Sequence, residues 1–149
     1  MIYLIDACAL IDAAKNYNIS KKSFAFFWDR LAEMAQNNKL ISSVEVRDEL
    51  LDDDLIEWAK KYSKIFYPID EAVQKKTIEI LAKFPGMIKL TSTKNSNADP
   101  FLVATASLTE DCTVVTNERK SDAINIPFVC NKLKIRCITL KEFIDEIIE

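Results

Sequence analysis

Residues 1–14 read MIYLIDACALIDAA: an apolar run, one aspartate, then apolar sequence again at helical spacing. The run MIYLI is short and contains β-branched and aromatic residues, which suits a strand buried on both faces. The next stretch, ACALIDAAKNY, suits a helix, so the chain opens as the first half of a strand–helix–strand unit. The aspartate between the two needs explaining. An isolated carboxylate in low dielectric costs free energy unless it is paired, hydrogen-bonded or bound to a cation. Asp6 therefore predicts a partner supplied by the rest of the chain.

Working outward, SKKSFAFFWDRLAEMAQNN has Phe24, Phe27, Leu31 and Met34 at threes and fours and predicts an amphipathic helix, with Ser20 or Ser23 as its cap. KLISS reads as a second strand. VEVRDELLDDDLIEWAKKY reads as a helix that breaks near Asp52, Asp53 and Asp54, which are a solvated charge run or a helix start. KIFYPID is a short extended piece, EAVQKKTIEILAKF a helix, and PGMIKLTSTKNSN has loop composition. ADPFLVATASLT predicts a helix with Asp99 as cap and Pro100 in the first turn. CTVVTNE is a buried strand running into polar residues, NIPFVCNKLKI a short helix, RCITL a strand and KEFIDEIIE a terminal helix. Short apolar strands alternating with helices imply right-handed crossovers and a parallel sheet covered on both sides. The expectation is one α/β domain over residues 1–149.

Composition narrows the chemistry. The chain is 49% hydrophobic and 29% charged, with one glycine, which fits a compact protein and argues against an all-β one. No run approaches the roughly 20 apolar residues that span a bilayer, and the opening stretch lacks the features of a signal peptide, so no membrane association and a cytoplasmic location are expected. Cys8, Cys112, Cys130 and Cys137 form no C-x-x-C pair, and there is no histidine to complete a zinc site. They are expected to be reduced and mostly buried. The absence of histidine also removes every Ser-His and Cys-His nucleophile system, so an enzyme built on this chain works with carboxylates. A net charge of −3 argues against a broad basic surface that grips nucleic acid through phosphates alone.

The acids fall at informative places. In parallel sheets the functional crevice lies beyond the carboxyl ends of the strands. Asp6 ends the first strand, and Glu118 lies just past CTVV. Asp99 begins a helix, and Glu45 and Glu49 lie four apart on one helix face, so each is able to project toward the same edge. Carboxylates gathered without histidine repel one another unless a hard divalent cation holds them, and magnesium or manganese fits oxygen ligands of this kind. The residues alone reach metal-dependent phosphoryl chemistry and no further.

The order YLIDACALID, SSVEVRDELL, ADPFLVATA and VVTNE resembles the PIN-domain family of metal-dependent ribonucleases, which includes the toxins of prokaryotic toxin–antitoxin pairs. The likeness spans residues 2 to about 140, and its most specific part is Asp99 followed by FLVATA. It implies a three-layer α/β/α sandwich with a central parallel sheet, a Mg2+ or Mn2+ site, hydrolysis of RNA, and an antitoxin as protein partner. Carried over by position, Asp6, Glu49 and Asp99 match the family's first three acids, with Glu49 preferred to Glu45 on that match. Glu118 stands where the family often has aspartate, and its longer side chain is expected to reach a metal through water. The closing IPFVCNKLKIRCITLKEF also resembles an uncharacterised prokaryotic subgroup of PIN-like proteins. One departure stands out: after the first acid the family usually has a hydroxyl residue and then Asn or Ser, and here Ala7 and Cys8 occupy those places. Hydrogen-bond support for Asp6 is then expected to be missing, or to come from Ser43, Thr116 or Asn117.

Simpler roles compete with each of these. Asp6 and Asp99 are good helix caps, Glu49 is a solvated neighbour of Arg47, and Lys94, Arg119, Lys120 and Lys132 are surface charges unless they guide RNA phosphates. The dense aromatics Phe24, Phe26, Phe27 and Trp28 are core, with an exposed remainder available to a homodimer or an antitoxin helix. Against the ribonuclease stands a degenerate PIN-like module that binds protein or RNA without cutting it. An Asp6-nucleophile phosphatase or receiver is weaker, because such phosphatases use an aspartate two residues on, and Cys8 is there.

Overall fold

The computed structural model describes residues 1–87, 98–118 and 124–148. The first apolar run forms β1 (Ile2–Ile5), and α1 (Ala7–Asn16) comes next with Asp6 as its cap. The aromatic stretch forms α2 (Ala25–Gln36), preceded by a 3-10 turn at Lys22–Phe24. Neither Ser20 nor Ser23 caps it. The residue before α2 is Phe24, which makes no side-chain capping bond, Ser23 lies inside the 3-10 turn, and the Ser20 hydroxyl donates to Asn18 Oδ1. The turn already satisfies part of the orphan donors that a serine cap would serve.

β2 (Leu40–Ser43) runs into the short α3 (Val44–Asp48), and α4 (Asp53–Lys61) begins after a break. The break falls where the aspartates suggested, because Asp52 Oδ2 accepts the Leu55 amide and restarts the helix. β3 (Phe66–Tyr67) is a two-residue strand, succeeded by α5 (Glu71–Lys83) with Asp70 as cap. Of the segment read as loop, Pro85–Met87 forms a 3-10 turn, and 88–97 lie outside the described residues. α6 (Ala98–Leu108), β4 (Cys112–Val115), α7 (Ile126–Leu133), β5 (Arg136–Ile138) and α8 (Leu140–Ile147) complete the order.

Among the described residues five strands form one sheet in the order β3-β2-β1-β4-β5, with every pair parallel. Right-handed crossovers put the helices of the two leftward steps on one face and those of the two rightward steps on the other. Ring contacts agree: Trp28 of α2 meets Trp58 of α4 with centroids 5.6 Å apart, whereas Phe84 just past α5 meets Phe128 of α7 at 6.3 Å. α8 returns to the side of α2, where Arg30 Nε donates to the Ile147 carbonyl at 3.0 Å. The result is an α/β/α sandwich around a parallel sheet. Its core includes Leu4, Ile5, Phe27, Leu31, Leu102, Val103 and Val114, all fully buried, each contributing about 1.5–3 kcal/mol of transfer free energy. With one glycine in the chain, left-handed backbone falls instead on Asn38, Asp111 and Lys134. Among the described residues no helix is long and apolar enough to cross a membrane.

Two features of the sheet place the functional end. β1 leaves the sheet toward β2 on one side, while its other neighbour, β4, leaves toward β5 on the opposite side. Connections diverging from adjacent strands open a crevice at their carboxyl ends. The ladder also runs one residue past the strands there: the Asp6 amide donates to the Val115 carbonyl at 2.9 Å, and the Thr116 amide to the Ile138 carbonyl at 3.0 Å. Asp6 and Thr116 are thereby held in register at the mouth of the crevice.

Candidate active site

Asp6 is only 3% exposed, so its charge must be answered locally. Oδ1 accepts the Ala7 amide at 2.6 Å, and Oδ2 accepts from Cys8 Sγ and Thr116 Oγ1, each at 2.9 Å. Burial pushes the Asp6 carboxyl up to about 6; the bonds from Cys8 and Thr116 pull it down, and the charge of Glu118 adds to the rise. The Cys8 thiol is itself pushed up to about 12, first by burial and then by the charge of Asp6, so it stays protonated and acts as a donor. The support expected to be missing at Ala7 and Cys8 is therefore present: the thiol and the Thr116 hydroxyl supply it. The sequence marks Cys8 as a departure and not as a donor, because its cysteines read as reduced, mostly buried thiols.

Of the substitutes considered, Thr116 fills the role. Ser43 does not: its Oγ accepts the Glu45 amide at 3.3 Å and caps α3. Asn117 acts as a clip. Its Nδ2 donates to Asp12 Oδ2 at 2.8 Å, and its Oδ1 accepts the Leu140 amide at 2.9 Å, tying the end of β4 to α1 and to the start of α8.

Asp99 is not the cap of α6. The helix starts at Ala98, so Asp99 is its second residue and lies in its first turn. Burial, then the charges of Glu118 and Asp6, push it up to about 8, and a hydrogen bond with Glu118 and the charge of Glu49 add to the rise. Glu118 carries a second contact, accepting the Ile126 amide on Oε2 at 3.0 Å and so anchoring the start of α7. Glu49 sits at the carboxyl end of α3, half-buried, and is among the acids whose charge reaches Asp99. Glu45 lies in the first turn of the same helix. Asp52 is a helix cap and takes no part in the cluster. Lys94, Arg119 and Lys120 lie outside the described residues, and Lys132 stands over the Phe128 ring at 5.5 Å.

The charges of Glu118, Asp6 and Glu49 thus reach Asp99, and that of Glu118 reaches Asp6, from separate elements of the fold. Among the described residues no group of three acidic or thiol side chains is spaced to hold a cation as it stands. In donor chemistry these residues fit a hard divalent ion: the atoms they would offer are carboxylate oxygens, and repulsion among carboxylates is what such an ion relieves. The four cysteines carry no disulfide.

A family model described as "Domain of unknown function (DUF4411)" matches residues 3–147. No curated protein matches the chain. Among solved structures, VapBC2 from Rickettsia felis, crystallised with a DNA fragment from its promoter, is similar with a TM-score of 0.51 and 15% identity, over 93% of this chain and 98% of that one. FitAcB from Neisseria gonorrhoeae is similar with a TM-score of 0.52 and 14% identity, over 94% and 99% respectively. At such identities the likeness is one of fold, and it bears out the α/β/α architecture with a central parallel sheet expected from the sequence.

Proposed function

Given that the chain belongs to the family described as a domain of unknown function (DUF4411), we propose that it is a divalent-metal-dependent endoribonuclease of PIN type, cytoplasmic, with single-stranded RNA as substrate and an antitoxin as protein partner. The observation that carries this reading is the buried Asp6 carboxylate, held by Thr116 beyond the carboxyl ends of β1 and β4, with Glu118 two residues past Thr116 and the charges of Glu118, Asp6 and Glu49 all reaching Asp99. Asp6, Glu49 and Asp99 would hold Mg2+ or Mn2+, with Glu118 reaching it through water because one of its oxygens is committed to the Ile126 amide. When bound, such an ion polarises the phosphodiester and activates water for attack.

The chain's own residues do the rest. Thr116 and Cys8 hold Asp6 against rotation, and Glu118 steadies the start of α7 while facing Asp99. The crevice wall is acidic, so RNA phosphates approach only where that charge is offset. The half-exposed Phe26, 53% accessible beside buried Phe27 and Trp28, offers an apolar contact to a partner chain or to a second copy. The bond from Cys8 to Asp6 weighs against the non-catalytic module, whose main support was the departure at that place.

The decisive experiment uses EDTA-treated protein and single-stranded RNA, with and without manganese. Wild type is expected to cut only with metal. Asp99→Asn, which keeps the shape and loses the charge, is expected to fall by more than the roughly 10- to 100-fold that loss of a residue supporting a ligand costs. Equal cleavage by both proteins would sink the assignment.

A further inference from the structure

A carboxylate has two oxygens and roughly four lone-pair positions. Among the described residues, Oδ2 of Asp6 has two donors, the Cys8 thiol and the Thr116 hydroxyl, and is filled by them; Oδ1 has one, the Ala7 amide, and keeps one position open to a further group. The two donors to Oδ2 are themselves anchored. The Asn117 amide donates to Cys8 Sγ at 3.3 Å, the Glu118 amide donates to Thr116 Oγ1 at 3.2 Å, and the sulfur and hydroxyl lie 3.3 Å apart. A hydrogen-bonded circuit thus joins the first turn of α1 to the three residues after β4, with one oxygen of Asp6 at its centre.

We propose that Cys8 is a positioning residue which, together with Thr116, fills Oδ2 of Asp6 and fixes the carboxylate so that Oδ1 is the oxygen offered to a divalent cation. This rests on the metal-site reading above and extends it to a residue and an atom. The terminal torsion of aspartate is broad and nearly two-fold, so a carboxylate pinned through one oxygen alone swings about that pivot. Clamping the other oxygen from two elements removes the swing. Sulfur suits the place because its longer bond to carbon lets one atom reach Asp6 and the Asn117 amide together. Serine keeps a donor there, and alanine removes it.

The test uses the 15N-labelled full chain, EDTA-treated, as wild type, Cys8→Ala, Cys8→Ser and Thr116→Val. Amide exchange at Ala7 reports the hold on Asp6 without any metal, and exchange at Leu10, which donates to the Asp6 carbonyl at 3.1 Å, reports fraying of α1. In Cys8→Ala, Ala7 is expected to exchange at least about threefold faster with Leu10 unchanged, and Mn2+ to bind about 10- to 100-fold more weakly; Cys8→Ser restores both. Unchanged Ala7 exchange and Mn2+ affinity in Cys8→Ala overturn the proposal. If Cys8→Ala fails to fold, Thr116→Val decides, since it removes the other donor to the same oxygen at nearly constant volume: the same paired change supports the proposal and no change overturns it. Absence of Mn2+ binding to wild type overturns the metal-site reading, and with it the role assigned to Oδ1, whereas the exchange data alone decide whether Cys8 holds Asp6.

Discussion

Thr116 Oγ1 lies 2.9 Å from Asp6 Oδ2, although 110 positions separate the two residues. The contact exists because β1 and β4 are neighbours in register, Ile5 opposite Val115, so the residues just beyond them emerge side by side. Everything proposed for the site depends on that adjacency.

The metal-free protein is expected to lose stability as pH rises. Asp6 and Asp99 titrate at about 6 and about 8 in the fold, against 3.8 unperturbed. Between those values the native state holds more protons than the unfolded chain, so the contribution is full below about pH 4 and is lost as pH climbs through about 8. Melting temperatures in EDTA from pH 5.5 to 8.5 measure the slope. Asp99→Asn should flatten its upper half; an identical profile in the variant would remove Asp99 as its source.

Manganese is expected to raise the melting temperature at pH 8. A ligand that binds only the native state adds about 2.7 kcal/mol at a hundredfold excess over its dissociation constant. Thermal melts with and without millimolar manganese check this, and the rise should vanish in Asp99→Asn. A wild-type melting temperature that does not move counts for a module that binds without cutting.

Glu118 separates two roles by substitution. Glu118→Gln retains an acceptor for the Ile126 amide while dropping the charge that acts on Asp99. Its loss of manganese affinity should stay within about tenfold, milder than for Asp99→Asn, with stability kept. Glu118→Ala also leaves that amide without its side-chain acceptor, and its urea midpoint should fall below that of the glutamine variant. Equal midpoints would show that the bond to α7 is energetically idle.

Asn117→Ala is expected to cost about 1–3 kcal/mol, because it leaves the Leu140 amide and Asp12 without the partner that joins them. Urea denaturation reads the loss directly. A shift below a few tenths of a kcal/mol would mean that water replaces the clip.

The strands and most helices were legible because the apolar runs are short, bounded by charge, and separated by helical periodicity; MIYLI and CTVV are the clearest. Asp6 was legible as a charge that needed a partner. The identity of that partner was not, since Thr116 reaches it through sheet pairing, which no local pattern encodes. Asp99 was read as a cap because ADP is good capping sequence, and a helix start is uncertain by a residue on local grounds. A cap at Asp99 would start the helix at Pro100; it starts two residues earlier, at Ala98, which puts Asp99 inside the first turn. Cys8 was hidden by its residue type, since a thiol among alanines and leucine looks like core until a carboxylate is found beside it. Ser20 and Ser23 looked like caps by composition alone, and a 3-10 turn had taken the position.

The two outer strands of the sheet are very short: β3 is Phe66–Tyr67, with Pro68 directly after it, and β5 is Arg136–Ile138, opening on a charged residue. Long flat margins with unpaired amides and carbonyls are templates on which other chains add strands, and brevity, proline and charge blunt them. Strand addition is therefore a poor route of association for this protein. A protein partner has to recognise the side chains of the helical layers, and concentrated solutions should resist the fibrillar pairing to which broad-edged sheets are prone.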